Sequence, residues 1–418
     1  MDRRKVGRAG GSWTVVGIAV LVSLAAGNAQ GQVFKTIYSF TGGADGQAPQ
    51  AGVVADNSGN LYGTTVFGGS SNPGYGVVFK LDASGNETVL YNFTGGVDGA
   101  FPQSGVVWDS AGNLYGTTAD GGDLNCNAPY GCGVVFKLDP AGNFTVLHSF
   151  TAGSGDGIYP NGLILDGAGN LYGTTFSGGS TANSQCLPLG CGVVFKVDTG
   201  GNESILYTFT GLADGATPYA PLIRDPAGNL YGTTGFGGQE TGNWCSTFGC
   251  GVVFKLDPSG HETVLLSFNA MDGKTPQGGL VRDSAGNLYG TTITGGYRTS
   301  RQCQLGGCGV VFKLNPAGQI HVLYKFTGGT DGGSSTAGLV RDSAGNLYGT
   351  ASVGGVGVGV VFKVDVNGNE TVLHSFTGGA GGSTPQAPLL NYGGRLWGTS
   401  KYQGASGYGG TVFAIRTQ

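Results

Sequence analysis

Charge is scarce in this sequence: Asp, Glu, Lys and Arg make up only 11% of its 418 residues, against ~25% in an ordinary soluble domain. That scarcity excludes coiled coils and charged helical bundles, whose exposed faces need dense charge. No sustained helical period occurs anywhere along the chain, and no apolar run long enough to span a bilayer occurs beyond Ala29. What abounds instead is glycine, 86 residues, joined by 15 prolines. Such a content borders on low-complexity disorder. Yet 39% of the chain is hydrophobic and 10% aromatic, enough apolar surface to offset the entropy of ordering.

Positions 1–29 read as a secretory signal. Arg3, Arg4, Lys5 and Arg8 form a basic start, residues 14–26 an apolar stretch, and Gly27-Asn28-Ala29 places small residues at −3 and −1 of a cleavage site. An uncleaved anchor is the alternative, but the apolar stretch falls short of the ~20 residues that cross a bilayer. Of 21 basic and 25 acidic residues, four and one lie in this segment, leaving 17 and 24, a net charge of −7. No basic patch remains to neutralise phosphates, so nucleic acid is not an expected partner.

Self-similarity dominates the remainder. Leu-Tyr-Gly-Thr-Thr begins at Leu61, Leu114, Leu171, Leu230 and Leu288, with Leu-Tyr-Gly-Thr-Ala at Leu347 and Leu-Trp-Gly-Thr-Ser at Leu396. Val-Val-Phe-Lys begins at Val78, Val135, Val194, Val253, Val311 and Val361, and ends as Thr411-Val412-Phe413-Ala414. A Thr-Val-Leu-Tyr-Ser-Phe type of element ends at 40, 93, 150, 209, 268, 326 and 376. Each of these elements occurs seven times.

Every unit holds four short runs rich in Val, Ile, Leu, Phe, Tyr and Thr, bounded by Gly, Pro, Asn and Asp, the signature of strands. In the fifth unit they are 279–283, 287–292, 309–314 and 320–326. Links such as Asp283-Ser-Ala-Gly-Asn287 suit a type I turn followed by glycine at positive φ, so the strands form antiparallel meanders. The runs are apolar on both alternating faces, which predicts sheets covered on both sides. The expected fold is all-β: a seven-bladed β-propeller of four-stranded antiparallel blades. An open β-solenoid is the runner-up, but its rungs are much shorter. The domain spans 30–418, with blades near 50–93, 103–150, 160–209, 218–268, 276–326, 335–376 and 386–415. The strand at 33–40 is expected to complete the last blade, closing the ring where the two ends of the mature chain pair.

The succession Leu-Tyr-Gly-Thr-Thr, Gly-Gly, Gly-Val-Val-Phe-Lys-Leu, Thr-Val-Leu-Tyr-Ser-Phe resembles the GloVer tandem-repeat family of exported bacterial proteins over about residues 33–415. The inner hairpin, such as 338–350, is more weakly similar to NHL-type propeller repeats. The family resemblance implies export and repeat architecture and no particular activity.

Strand polarity separates the two faces of the ring. The uniform tight turns share one face; the variable loops and the Asp-Gly crossovers between blades share the other, where binding usually resides. All eight cysteines fall in the variable loops as close pairs, Cys126 and Cys132, Cys186 and Cys191, Cys245 and Cys250, Cys303 and Cys308. In an exported chain these read as four local disulfides. Zinc is the rival reading, but the spacings are C-x5-C and C-x4-C and no histidine accompanies them. No metal or other cofactor is expected.

Loop length breaks the symmetry, the variable loops of blades two to five being longer than those of blades one, six and seven. The higher arc bears Tyr130, Glu240, Trp244, Phe248, Tyr297, Arg298 and Arg301, aromatics with a few polar groups that suit a sugar or peptide face, or that pack over their own disulfides. A second candidate is a ring of amides at the entry to the innermost strands, Gln50, Gln103, Gln277 and Gln386 with Asn161 and Tyr219. Facing the channel, they would meet an uncharged polar ligand; otherwise they tie neighbouring blades together. The repeated crossover aspartates are expected to form turns rather than to hold calcium.

Catalysis needs residues that depart from the repeat. His148, His261, His321 and His374 lie on separate strands and turns and are not expected to meet, and no Gly-x-Ser-x-Gly elbow occurs. Arg224, Arg282 and Arg341 are expected to pair with the adjoining Asp225, Asp283 and Asp342. The reading favoured is a secreted monomeric binding or structural module, extracellular or periplasmic, for an extracellular glycan or a surface protein. The alternative is a hydrolase or lyase acting on an extracellular polysaccharide.

Overall fold

The computed structural model of the chain describes residues 33–416 except 152–154, 182–185, 187–188, 240–244, 246–247, 297–302, 304–305 and 406; the signal expected at 1–29 lies outside the described residues. Seven antiparallel sheets, each built on four strands, make a β-propeller with almost no helix; in the third blade a fifth strand, Gly157–Pro160, also pairs with Leu171–Gly178. In the fifth blade the strands are Val281–Arg282, Leu288–Thr291, Val310–Leu314 and Ile320–Lys325. The innermost strand is shorter than the sequence suggests because the blades converge at the axis. There a Cβ on Gly278 would lie 2.3 Å from the Ala337 carbonyl oxygen, and one on Gly52 2.7 Å from that of Pro388.

Each letter of Leu-Tyr-Gly-Thr-Thr has its own physical reason. The leucine is buried in the layer between blades. The tyrosine hydroxyl donates to the aspartate that opens the preceding tight turn, as Tyr289 does to Asp283 at 3.0 Å. That carboxylate also accepts the backbone N–H and side-chain amide of Asn287, at 2.9 and 2.8 Å, and Gly286 completes the turn at φ 86°. At the middle glycine a Cβ would sit 2.7 Å from the ring of Phe312, so the close approach of the strands demands its absence. In every blade but the fourth, where the Thr233 hydroxyl has no partner among the described residues, the first threonine reaches the next blade: Thr64 donates to the Ser104 carbonyl at 2.8 Å, and Thr399 to that of Ala51 at 3.0 Å. The second threonine returns to its own loop, Thr65 Oγ1 donating to Phe67 O at 2.9 Å.

The blades are cemented by phenylalanine. The last residue of each outer element lies edge-on to the Val-Val-Phe-Lys phenylalanine of the next blade, from Phe93–Phe136 at 5.4 Å to Phe376–Phe413 at 5.3 Å. All are essentially inaccessible to solvent. Such a pair contributes about 0.5–1.5 kcal/mol beyond the burial of its area. Phe40–Phe79, at 5.0 Å, forms this contact between the last blade and the first.

Closure follows the expected route. Strand Phe34–Ser39 pairs antiparallel with Thr411–Arg416, Phe34 opposite Ile415 and Ser39 opposite Thr411, in one sheet with Arg395–Ser400 and Leu390–Tyr392. Its register shifts between Thr36 and Tyr38, and each of the other six outer strands carries the same bulge.

Candidate functional site

Because each crossover must turn from the rim to the axis, its backbone is forced into an unusual shape. One non-glycine residue per blade, namely Ala48, Phe101, Tyr159, Thr217, Thr275, Ser334 and Thr384, has φ between 52 and 60°, a conformation that costs on the order of 1–3 kcal/mol for such residues. Each is held there by an inter-blade bond, its N–H donating at 2.8–3.1 Å to a carbonyl at the end of the preceding blade's variable loop. In four joints that acceptor is the second cysteine of a pair, Cys132, Cys191, Cys250 or Cys308. The bonds Cys126–Cys132, Cys186–Cys191, Cys245–Cys250 and Cys303–Cys308 are all present. They brace the loops on which the strained crossovers hang.

The crossover aspartates form turns. Asp45 accepts the Thr41 N–H at 2.8 Å, the Thr41 hydroxyl at 2.5 Å and the Tyr38 hydroxyl at 3.0 Å. Asn86 and Asn143, each in an Asn-x-Thr segment, likewise bond back to Asp82 and Asp139.

Residues from all seven blades line a central cavity of about 450 Å³. At its rim on the variable face stand Gln50, Gln103, Tyr219, Gln277, Thr336 and Gln386, above a layer of glycine and apolar side chains. Among the described residues, none makes a hydrogen bond with the side-chain amides of these four glutamines. Four of the amides read from the sequence, with Tyr219, thus line one cavity. Asn161 behaves differently, donating to Pro218 O at 2.7 Å and Thr174 Oγ1 at 3.1 Å. It ties the third blade to the fourth.

A cleft of about 330 Å³ shares Gln103 and Tyr219 with this mouth and extends it between blades two, three and four. Its walls add Asp120, Tyr159, Asn161 and Phe176, with the rings of Phe176 and Tyr219 edge to face at 4.9 Å. Asn127 donates its side-chain amide to the Tyr159 hydroxyl. Burial pushes the Asp120 carboxyl up to about 6, and it raises Tyr159, with the nearby Asp120 charge adding to the effect. Asp120 is the one carboxylate among the described residues lining the two cavities.

Sequence reasoning found the amides and Tyr219 but missed Asp120, Tyr159 and Phe176. A signal for Asp120 existed. It occupies the position that bridges to the crossover, where Phe67, Phe236, Thr294, Val353 and Tyr402 stand in other blades and Ser177 in the third, so it is the one charged residue at that position.

Two of the residues expected on the higher arc are described. Tyr130 and Phe248 are 62% and 56% exposed on the variable face, and Phe248 leans edge-on to Phe236 at 6.1 Å. Glu240, Trp244, Tyr297, Arg298 and Arg301 lie outside the described residues.

The expected pairing of the inner-strand arginines with their neighbouring aspartates is corrected. Asp225, Asp283 and Asp342 are already engaged by their turns and by Tyr231, Tyr289 and Tyr348. The guanidinium groups instead lie over tyrosines of the preceding blade: Arg224 over Tyr172, Arg282 over Tyr231 and Arg341 over Tyr289, at 5.7–5.9 Å.

A model of the family described as Gloeobacter/Verrucomicrobia repeat matches residues 23–187, 125–302 and 297–418. No curated protein matches the chain in sequence. Among solved structures, the extracellular domain of a one-component system from B. thetaiotaomicron is similar at a TM-score of 0.53 and 14% identity, over 92% of this chain and 42% of that one. A gluconolactonase from Xanthomonas campestris is similar at 0.41 and 15% identity, over 74% of this chain and 84% of that one. A luciferin-regenerating enzyme is similar at 0.42 and 12% identity, over 92% and 95%. With so few identical residues the first likeness extends to the fold alone, and the weaker two carry no argument.

Proposed function

The chain belongs to the Gloeobacter/Verrucomicrobia repeat family, and from that membership and the mouth of its channel we propose that it is an exported binding module for a neutral extracellular glycan. The observation that carries this reading is the unengaged amide ring of Gln50, Gln103, Gln277 and Gln386 opening into a cleft walled by Tyr159, Phe176 and Tyr219. Aromatic faces suit the apolar face of a sugar ring, and amides exchange donors and acceptors with its hydroxyls at no charge penalty. Export is supported by the four disulfides, which persist in oxidising compartments. Among the described residues, no helix is long and apolar enough to cross a membrane.

One observation favours a hydrolase or lyase instead. A carboxyl titrating near 6, as Asp120 does, is poised to donate a proton near neutrality. A glycosidase, however, also needs a second carboxylate about 5–9.5 Å away.

A pull-down on insoluble polysaccharides followed by a glycan array tests the reading. The wild-type protein should bind a neutral glycan without releasing product. Tyr219→Ala should weaken that binding roughly tenfold, the loss of about 1.4 kcal/mol of aromatic contact. Release of shortened or unsaturated sugar, abolished by Asp120→Asn, would support the enzyme instead; equal binding by wild type and Tyr219→Ala would remove the mouth from the account.

A further inference from the structure

The outer rim repeats one arrangement at each joint between blades. It combines the residue just past the bulge of an outer strand, the crossover aspartate, and the first residue of the next blade's outer strand. In three joints these are Tyr, Asp and Glu: Tyr38, Asp45 and Glu87; Tyr207, Asp214 and Glu262; Tyr324, Asp331 and Glu370. There the phenol donates to the aspartate at 2.9–3.1 Å. Where the glutamate is replaced by Phe144, its ring stacks on Tyr91 at 3.9 Å. Between the sixth and seventh blades all three positions differ together: Gly381 takes the place of the aspartate, and Phe34 stacks on His374 at 3.7 Å.

Only the joint between the second and third blades, among the described residues, sets an imidazole beside both carboxylates. His148 Nε2 lies 3.7 Å from Asp156 Oδ2, and one ligand atom each from His148, Asp156 and Glu203 fall within 4.8 Å of one another. His148 Nε2 and Glu203 Oε1 are buried, and neither has a hydrogen-bond partner. Asp156 is firmly oriented: Oδ1 accepts the Gly157 N–H at 2.7 Å, and Oδ2 accepts the Thr151 N–H at 2.8 Å and its hydroxyl at 3.1 Å.

A hydrogen-bonded ion pair does not account for this geometry, since the nitrogen and oxygen stand too far apart for an N–H···O bond. It does match a metal site. Ligand atoms bound at about 2.0–2.2 Å in a tetrahedron stand about 3.3–3.6 Å from one another, so the His148–Asp156 spacing is nearly right and Glu203 closes by a side-chain movement of about 1 Å. We propose that His148 Nε2 and one oxygen each of Asp156 and Glu203 bind a divalent first-row transition ion, Zn²⁺ being the one this nitrogen and oxygen set fits. The ion would join the crossover to the outer strands of both blades, neutralising two partly buried carboxylates. This site is independent of the channel mouth.

The test uses the folded full-length protein and Zn²⁺ alone, in competition with a chromophoric zinc indicator. His148→Tyr installs the residue found at Tyr38, Tyr91, Tyr207 and Tyr324 and so preserves the fold; Glu203→Gln removes an oxygen ligand's charge. Wild type should bind Zn²⁺, and each variant should bind it at least tenfold more weakly while melting cooperatively. NMR of the four imidazoles provides a readout free of substitution: the His148 resonances should shift on adding Zn²⁺. No binding by wild type, undiminished binding by both variants, or a Zn²⁺ shift confined to the other three histidines would overturn the site.

Discussion

Deleting residues 33–40 is expected to abolish cooperative folding of the whole chain rather than to loosen one blade. The strand pairs along its length with Thr411–Arg416, and Phe40 supplies the phenylalanine contact between the last blade and the first. Loss of one buried phenylalanine costs about 3–5 kcal/mol, and here Phe34, Ile37 and Tyr38 leave with it. The sum rivals the entire ~5–15 kcal/mol that holds a domain folded. It would also expose the edge of an apolar strand, Val412 to Ile415, to other chains. A permutant beginning at Thr41, with 33–40 joined after Arg416 by an Asp-Ala-Ser-Gly-Asn turn like that at 82–86, should recover a cooperative melt. Denaturant melts followed by circular dichroism distinguish the outcomes: a deletion variant as stable as wild type would show that closure contributes nothing.

Thermal stability should be greatest in mild acid, at roughly pH 5, and fall toward pH 8. Burial raises the carboxyls of Glu87, Glu262 and Glu370 from 4.5 to about 7, with Asp45, Asp214 and Asp331 respectively adding repulsion. A carboxyl raised in the folded state stabilises the fold below its unfolded pKa, and that stabilisation is lost as pH rises through the folded value. His374, lowered by burial from 6.5 to about 4, acts oppositely, its stabilisation being lost as pH falls; one such group opposes these three glutamates together with Glu203 and Asp120, whose carboxyls burial also raises. The turn aspartates, lowered despite burial by the bonds they accept from partners such as Asn287, set the acid limit, since their contribution is lost as pH falls through and below the ordinary carboxylate range. Replacing all three glutamates by glutamine should flatten the decline and raise Tm at pH 8 by several degrees, since each raised carboxyl is worth on the order of 1 kcal/mol after solvent screening is discounted. Calorimetry from pH 4 to 9 checks this, and an unchanged slope in the triple variant would contradict it.

The scaffold was legible in the sequence because it is repeated: seven copies of Leu-Tyr-Gly-Thr-Thr predict seven sheets, and paired cysteines in corresponding loops predict local bridges. Strand polarity likewise puts Gln50, Gln103, Gln277 and Gln386 at equivalent points of their blades, and all four line the central cavity. What escaped sequence reasoning depends on contacts between repeats. Asp120, Tyr159 and Phe176 occupy non-equivalent positions in two blades and meet Tyr219, which the sequence did point to, only through the curvature of the ring. His148 reads as a substituted tyrosine until the next blade brings Glu203 beside it. The arginines failed for a related reason: their adjoining aspartates were already committed to turns, leaving the tyrosine faces of the preceding blade.

On the proposed function the repeat is scaffold and recognition lies where the symmetry breaks at the channel mouth. Hydrogen–deuterium exchange, with and without the neutral oligosaccharide selected by the glycan array, tests it most directly. Protection is predicted in 100–103, 119–120, 158–161 and 217–220, the backbone that carries the amide rim and the aromatic cleft. Protection confined to the tight turns of the opposite face, such as 82–86 and 139–143, would contradict it.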